Sequence, residues 1–88
     1  MKFVSFEKYK TYLESQGYVQ EKGENVYYDL SFRTVFFSKP GEKNKYTVNV
    51  FLNSDHVMTI NYGYGSPYIG WKSVKIDVRK KFWRDLTN

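Results

Sequence analysis

Two apolar runs separated by a short polar turn constrain this chain more than any other feature. Residues 45–52 and residues 56–62 alternate apolar and polar side chains with a period of two, which is typical of strands with one buried face. The segment between them, Asn53-Ser54-Asp55, has the composition of a turn. The sequence therefore predicts an antiparallel β-hairpin.

The alternation also predicts the register of this hairpin. A three-residue loop sets apolar side chains opposite apolar ones, whereas a shift by one residue would mix apolar and polar side chains on both faces, which burial penalises. The predicted pairs are Val50 with Met58, Val48 with Ile60 and Tyr46 with Tyr62 on one face, and Thr47 with Asn61 and Asn49 with Thr59 on the other. Asp55 is expected in the left-handed region at the end of the loop. Phe51 and Val57 are expected on the polar face.

Length and composition indicate one small domain, residues 1–88, with an aromatic core. Aromatic residues make up 20% of the chain and alanine is absent, so large rings must supply the buried area. The chain has no cysteine, which excludes disulfides and thiolate sites. A charged N-terminus and the lack of a long apolar run predict neither a signal peptide nor a membrane span, and we expect a cytoplasmic location.

The N-terminal part predicts a helix over residues 6–16. Ser5 suits the N-cap, and Gly17 suits the left-handed position after the last turn, with Tyr18 closing back onto the helix. The apolar residues that recur at helical spacing are Phe6, Tyr9 and Leu13. A lone helix of this length is marginally stable in water, so its apolar face must pack on the sheet.

The middle of the chain predicts strands between polar turns. Residues 26–38 form one long or two short strands, and a bend is expected near residues 29–31 because an unbroken strand would exceed the usual length of about ten residues. Residues 20–25 and residues 39–44 have turn and loop composition.

The C-terminal third begins with a glycine-rich segment, residues 62–71, whose glycines predict a tight turn or a bulge between strands. Alternation favours a last strand over residues 71–76, then a helix over residues 78–86 with Asp77 as its N-cap. A helix that begins at Ser73 is the alternative. The expected apolar stripe is Val78, Phe82 and Leu86, with Lys80, Lys81 and Arg84 on the opposite arc.

These elements predict an α+β fold. The N-terminal helix packs on an antiparallel sheet of three to five strands, and a short basic helix ends the chain.

Residues suited to catalysis are sparse. The single histidine, His56, lies at the hairpin tip, where a pocket and a positioning partner are rarely found. Ser66 lacks the Gly-x-Ser-x-Gly pattern of a nucleophile elbow, and its glycine-rich surroundings lack the pattern of a phosphate loop. We therefore expect a protein that is not an enzyme, without a catalytic residue, metal site or cofactor.

Basic and aromatic side chains concentrate near the C-terminus. The net charge is +5, and six basic residues fall within residues 71–84, opposed only by Asp77. Aromatic faces stack on bases, and lysine or arginine neutralises phosphates. The candidate binding residues are Tyr64, Tyr68, Trp71, Lys72, Lys75, Lys80, Lys81 and Arg84. The alternative is that most of the aromatics belong to the core and that the basic helix face is merely solvated.

Three functions are compatible with these features. We favour a phage or mobile-element type protein that binds and modulates a host nucleic-acid-handling protein, such as an anti-CRISPR-like inhibitor of a nuclease complex. Tyrosine, tryptophan and arginine form interface hot spots, and the abundance of lysine, asparagine, tyrosine and phenylalanine indicates an AT-rich genome. The first alternative is a stand-alone basic protein that binds single-stranded DNA or RNA. The second is a homodimeric accessory protein that assembles through a strand edge or the Phe51/Val57 patch.

Overall fold

A computed structural model describes residues 3–66 and 70–87 of the chain. Within them lie two helices, α1 (Phe6–Ser15) and α2 (Val78–Thr87), and an antiparallel sheet. The strands are β1 (Val19–Gln20), β2 (Asn25–Tyr27), β3 (Phe32–Ser38), β4 (Lys45–Phe51), β5 (Val57–Ser66) and β6 (Gly70–Ser73). The spatial order is β1-β3-β4-β5-β6. Both β1 and β2 pair with the same edge of β3, β1 at the end of that strand and β2 at its beginning. The predicted α+β fold is confirmed.

Helix α1 begins and ends where its capping residues predict, within one residue. The Ser5 hydroxyl accepts a hydrogen bond from the Lys8 N–H at 3.5 Å. Gly17 has a φ of 93°, and the Tyr18 N–H donates to the Leu13 carbonyl at 3.0 Å, so the helix closes as a Schellman cap. The buried residues of α1 are Phe6, Tyr9, Tyr12 and Leu13.

The sheet has one helix-covered face and one open face. On β3 and β4 the buried side chains of the helix-covered face are Val35, Phe37, Tyr46, Val48 and Val50. The Phe6 ring of α1 packs on Phe37, and Tyr9 packs edge-on against Tyr46. Because side chains alternate along a strand, the residues between these buried ones form the open face.

The hairpin register is as predicted except at its tip. Of the predicted pairs, Val48 with Ile60, Tyr46 with Tyr62, Thr47 with Asn61 and Asn49 with Thr59 are confirmed. A bulge then pairs Val50 with Val57 instead of Met58, and Val57 is buried, so its expected place on the polar face is wrong. Asp55 is not in the left-handed region, because residues 52–55 form a longer, four-residue loop.

The predicted bend in residues 26–38 is confirmed. A 3₁₀ turn, Tyr28–Leu30, separates β2 from β3, and Ser31 follows it in the left-handed region with a φ of 60°. The described sheet has one strand more than the predicted maximum of five, because residues 19–20, expected outside the sheet, pair with the end of β3.

Strand β6 and helix α2 end the chain much as predicted. The glycine-rich segment continues β5 to Ser66, and β6 returns from Gly70 to Ser73, shorter than expected. A Cβ at Gly63 would overlap the Lys72 carbonyl oxygen, so the close pairing of the two strands requires glycine there. Asp77 caps α2 through its side chain, which accepts from the Lys80 N–H at 2.9 Å, and a helix from Ser73 is therefore wrong.

Helix α2 packs beside α1 on the helix-covered face. The Phe82 ring lies edge-on to the rings of Tyr9 and Tyr12, with both pairs of centroids 5.2 Å apart. Arg79 donates to the Met58 carbonyl at 2.9 Å and ties α2 to β5. Leu86 is half exposed, so the predicted apolar stripe extends only from Val78 to Phe82.

Candidate binding sites

The predicted binding residues on the β5–β6 hairpin are divided between the two faces of the sheet. Tyr64 and Lys72 are cross-strand partners, and Trp71 pairs with Gly65. Because neighbouring residues of a strand point to opposite faces, Trp71 lies on the open face, whereas Tyr64 and Lys72 lie on the other. The Lys43 ammonium group lies over the Tyr64 ring, 3.9 Å from its centroid. Tyr64, Trp71 and Lys72 therefore do not form one continuous binding surface.

Lys81 is held by α1 rather than extended into solvent. Its ammonium group donates to the Tyr12 hydroxyl at 2.8 Å and to the Asp85 carboxylate at 2.9 Å, and Tyr12 donates to the same carboxylate at 2.7 Å. These hydrogen bonds, first that to Tyr12 and then that to Asp85, raise the pKa of Lys81. Lys81 is therefore tied to α1, although 38% of its side chain stays exposed.

The other predicted residues are less constrained. Lys72, Lys75, Lys80 and Arg84 are exposed. The Arg84 guanidinium lies 3.7 Å from the Asp85 carboxylate. Tyr68 lies outside the described residues.

Trp71 lines a pocket on the open face, with neighbours other than the basic and aromatic residues predicted to bind with it. The pocket has a volume of about 200 Å³. Its lining residues are Asn25, Tyr27, Thr34, Phe36, Thr47, Asn61 and Trp71. They come from β2, β3, β4, β5 and β6, so the pocket spans most of the sheet. We call it the Trp71 pocket.

The open face around the Trp71 pocket is aromatic and nearly uncharged. A row of side-chain hydrogen bonds crosses it, from Thr34 to Asn49 at 2.7 Å and from Asn49 to Thr59 at 2.6 Å. Beyond this row the Phe32 and Phe51 backbones pair across β3 and β4, and the Tyr27 ring lies 5.0 Å from that of Phe32. On the described strands, Lys45 is the charged residue of this face, and it pairs with Glu21 at 3.3 Å.

A second exposed feature lies at the end of the sheet where β3 begins and β4 ends. Tyr28 is 81% exposed and Leu30 62% exposed, both on the 3₁₀ turn, and Leu52 is exposed beside them. The Ser31 N–H donates to the Tyr28 carbonyl at 3.3 Å, and the Leu52 N–H donates to the Ser31 carbonyl at 3.0 Å. One of these backbone hydrogen bonds closes the turn, and the other ties it to the end of β4. We call Tyr28, Leu30 and Leu52 the apolar tip.

The residues considered for catalysis, His56 and Ser66, lie at opposite ends of the sheet, where His56 pairs with Phe51 and Ser66 pairs with Gly70. His56 is exposed and stacks on Phe3, with ring centroids 5.0 Å apart. Over residues 3–66 and 70–87, histidine, aspartate and glutamate do not gather in a group of three that could hold a metal ion. Of the described helices, neither α1 nor α2 has the length and apolar character needed to span a membrane.

Sequence reasoning missed the apolar tip and most of the Trp71 pocket. The available signal for the tip was Tyr28-Asp29-Leu30 at the expected bend, since apolar side chains at a turn are often exposed. The sequence signal for the pocket was weaker: it was the polar face predicted for the hairpin, which includes Thr47 and Asn61. Its aromatic walls come from β2, β3 and β6, whose pairing the sequence did not predict.

Comparison with protein-family models, with curated proteins and with solved structures finds no match to this chain.

Proposed function

We propose that this chain is a small non-enzymatic protein that acts by docking on another protein through its apolar tip. The partner class that we favour is a host nucleic-acid-handling protein, such as a CRISPR nuclease complex, and the protein would act in the cytoplasm as an inhibitor or modulator of phage or mobile-element type.

The observation that carries this proposal is the exposure of two large apolar side chains, Tyr28 and Leu30, on one turn. Large apolar side chains at a turn expose area that water solvates poorly, and burial against a partner would recover about 25 cal/mol for each Å² of apolar surface. The two backbone hydrogen bonds of Ser31 restrain the turn, so its backbone loses less conformational entropy on binding. Tyrosine at such a position is a typical interface hot spot.

The backbone at Ser31 supports a functional role for the turn. A φ of 60° is uncommon for any residue other than glycine, and such conformations cluster at binding sites. Glycine would relieve the strain, but it would also loosen the turn that presents Tyr28 and Leu30.

The distribution of charge favours a protein partner over nucleic acid at this surface. Asp29 lies between Tyr28 and Leu30, and a carboxylate repels phosphate. Lys72 lies on β6, whose partners on β5 are at the opposite end of the sheet from the tip. A backbone-tracking nucleic-acid site requires aromatic and basic side chains together, and here they are apart.

The proposal can be tested by affinity capture from extracts of a low-GC bacterium after nuclease treatment. We expect the wild-type protein to retain a specific protein and the Tyr28→Ser/Leu30→Ser variant to lose it, with an unchanged melting temperature because both side chains are exposed. The matched control is Lys72→Ser/Lys75→Ser, which alters two exposed residues away from the tip and should retain the same protein.

Two results would contradict the proposal. Retention that disappears on nuclease treatment, together with loss in the lysine variant, would assign the binding to nucleic acid. If light scattering shows that the wild-type protein is a dimer and that the Tyr28→Ser/Leu30→Ser variant is a monomer, the tip is a self-association surface.

A further inference from the structure

The Trp71 pocket is small and has aromatic residues in its lining. Its volume of about 200 Å³ is below the range of about 300–1,000 Å³ that is typical of drug-sized ligands. Trp71 of β6, Phe36 of β3 and Tyr27 of β2 provide aromatic surfaces around it. A Cβ at Gly63 or at Gly65 would overlap the carbonyl oxygen of Lys72 or of Gly70, so β6 lies tightly against this part of β5. This close pairing fixes the backbone of Trp71, the partner of Gly65, at the edge of the pocket.

The polar groups of the pocket are suited to an uncharged ligand edge. Asn61 and Thr47 are cross-strand partners on β5 and β4. Asn25 of β2 pairs with Thr34 of β3. Within the described residues, no side-chain hydrogen bond engages Asn25, Thr47 or Asn61. Each amide side chain offers donors and an acceptor. No lining residue is charged, so the recognised part of the ligand is neutral.

Trp71 has an unused hydrogen-bond donor. Its indole N–H is shielded from solvent and finds no acceptor in the part of the chain that the structure describes. A shielded donor without a partner destabilises the folded state. Because this donor is shielded, the surface that Trp71 offers to a ligand is its ring and not its N–H.

A cation lies within reach of the pocket on the same face. Lys45 precedes Thr47 by two residues on β4, a separation of about 7 Å along the strand. Its ammonium group is paired at 3.3 Å with Glu21, and both side chains are about one-third exposed. A phosphate attached to a ring in the pocket could therefore contact Lys45 by displacing the Glu21 carboxylate from it.

We propose that the Trp71 pocket binds a single nucleobase, with the base against Trp71 and Phe36, its edge at Asn61 and Asn25, and the attached phosphate near Lys45. A nucleobase combines a flat face, a neutral edge with donors and acceptors, and an anionic attachment. A free nucleotide and a single-stranded nucleic acid present the same chemistry. The site does not depend on the protein partner proposed above, because its residues differ from those of the apolar tip.

The test is a titration followed by the indole N–H and amide side-chain signals of the ¹⁵N-labelled protein. The Trp83→Phe background leaves Trp71 as the one indole. The titrants are the four ribonucleoside 5′-monophosphates and short single-stranded oligoadenylate and oligouridylate. We expect saturable shifts of the Trp71 indole and the Asn61 amide with at least one nucleotide. Tighter binding of the oligonucleotide identifies a single strand as the source, and equal binding identifies the nucleotide.

Two variants locate the site. Trp71→Ala should weaken binding roughly five- to hundredfold, the range expected for loss of one base stack. Asn61→Asp should also weaken it, because the exposed Asn61 keeps its size while the site gains a negative charge. Tyr64→Ala is the matched control, since Tyr64 belongs to the same hairpin but to the other face of the sheet, and it should bind as the parent does.

Four results would overturn the proposal. One is the absence of saturable shifts up to about 10 mM nucleotide, a concentration that detects even millimolar affinity. Another is an equal response to ribose 5-phosphate, which has no base. A third is binding that survives Trp71→Ala. The last is binding of N-acetyl-tryptophanamide without binding of any nucleotide, which would assign the pocket to a protein side chain.

Discussion

At the scale of single residues, the tyrosines of this chain have three different roles. Tyr9, Tyr12 and Tyr46 belong to the core, and burial raises the pKa of Tyr46 to about 12. Tyr28 is exposed at the apolar tip, and Tyr27 lines the Trp71 pocket. Composition predicted an aromatic core, but it could not say which tyrosines would be left outside it, because that depends on strand pairing.

Two buried tyrosines differ in a way that makes a matched pair of variants. The Tyr9 hydroxyl is buried without a partner among the described residues, whereas the Tyr12 hydroxyl bonds to Lys81 and Asp85. Tyr9→Phe should leave the free energy of unfolding unchanged or raise it by up to about 1 kcal/mol, and Tyr12→Phe should lower it by about 1–2 kcal/mol. Urea denaturation measures both. An equal loss in the two variants would show that Tyr9 has a partner.

At the scale of elements, the contact between α1 and α2 depends on the Tyr12, Lys81 and Asp85 side chains. The hydrogen bonds from Lys81, and then from Tyr12, lower the pKa of Asp85 below its usual value of 3.8. Because the folded-state pKa is lowered, the contribution of Asp85 to stability is present above that usual value and is lost as the pH falls through the folded-state pKa.

The pH dependence of melting tests this contact. Asp85→Asn should melt below the wild type at pH 7, and the gap should begin to close as the pH falls below about 3.8. It should close fully only below the lowered folded-state pKa, where the wild-type carboxyl is protonated as well. Glu14→Gln removes one exposed carboxylate from α1 and controls for the change in net charge. A gap for Asp85→Asn that stays constant from pH 7 to about pH 2 would show that the carboxylate charge contributes nothing.

Elements with a strong local signal could be predicted from the sequence. The caps of both helices and four pairs of the hairpin were predicted, because capping and alternation are properties of neighbouring residues. The bulge was missed because Val57 and Met58 are both apolar, so alternation could not decide between them. The site was only partly predicted, because the faces of Tyr64 and Trp71 depend on the pairing of β6, and the hydrogen bonds of Lys81 depend on how α1 meets α2.

At the scale of the whole molecule, the proposed contacts occupy separate surfaces. The apolar tip lies at the end of the sheet where β3 begins, and the Trp71 pocket extends over the open face toward β6. The exposed Lys72 belongs to the far end of the sheet, on the helix-covered side. This arrangement would let one small domain contact a protein partner and a base held by that partner at the same time.

The separation predicts that each surface can be removed without the other. Tyr28→Ser/Leu30→Ser should lose the captured protein but keep the nucleotide-induced shifts of the Trp71 indole. Trp71→Ala should lose the nucleotide response but still retain the protein from nuclease-treated extract. Both variants should keep a cooperative melt, because the substituted residues lie outside the buried core.

The measurement that tests the central claim most directly is partner retention from nuclease-treated extract by the wild type, the tip variant and the Trp71→Ala variant side by side. The docking model predicts retention by the wild type and by Trp71→Ala, and loss in the tip variant alone. Retention by the tip variant at the wild-type level would contradict docking through Tyr28 and Leu30.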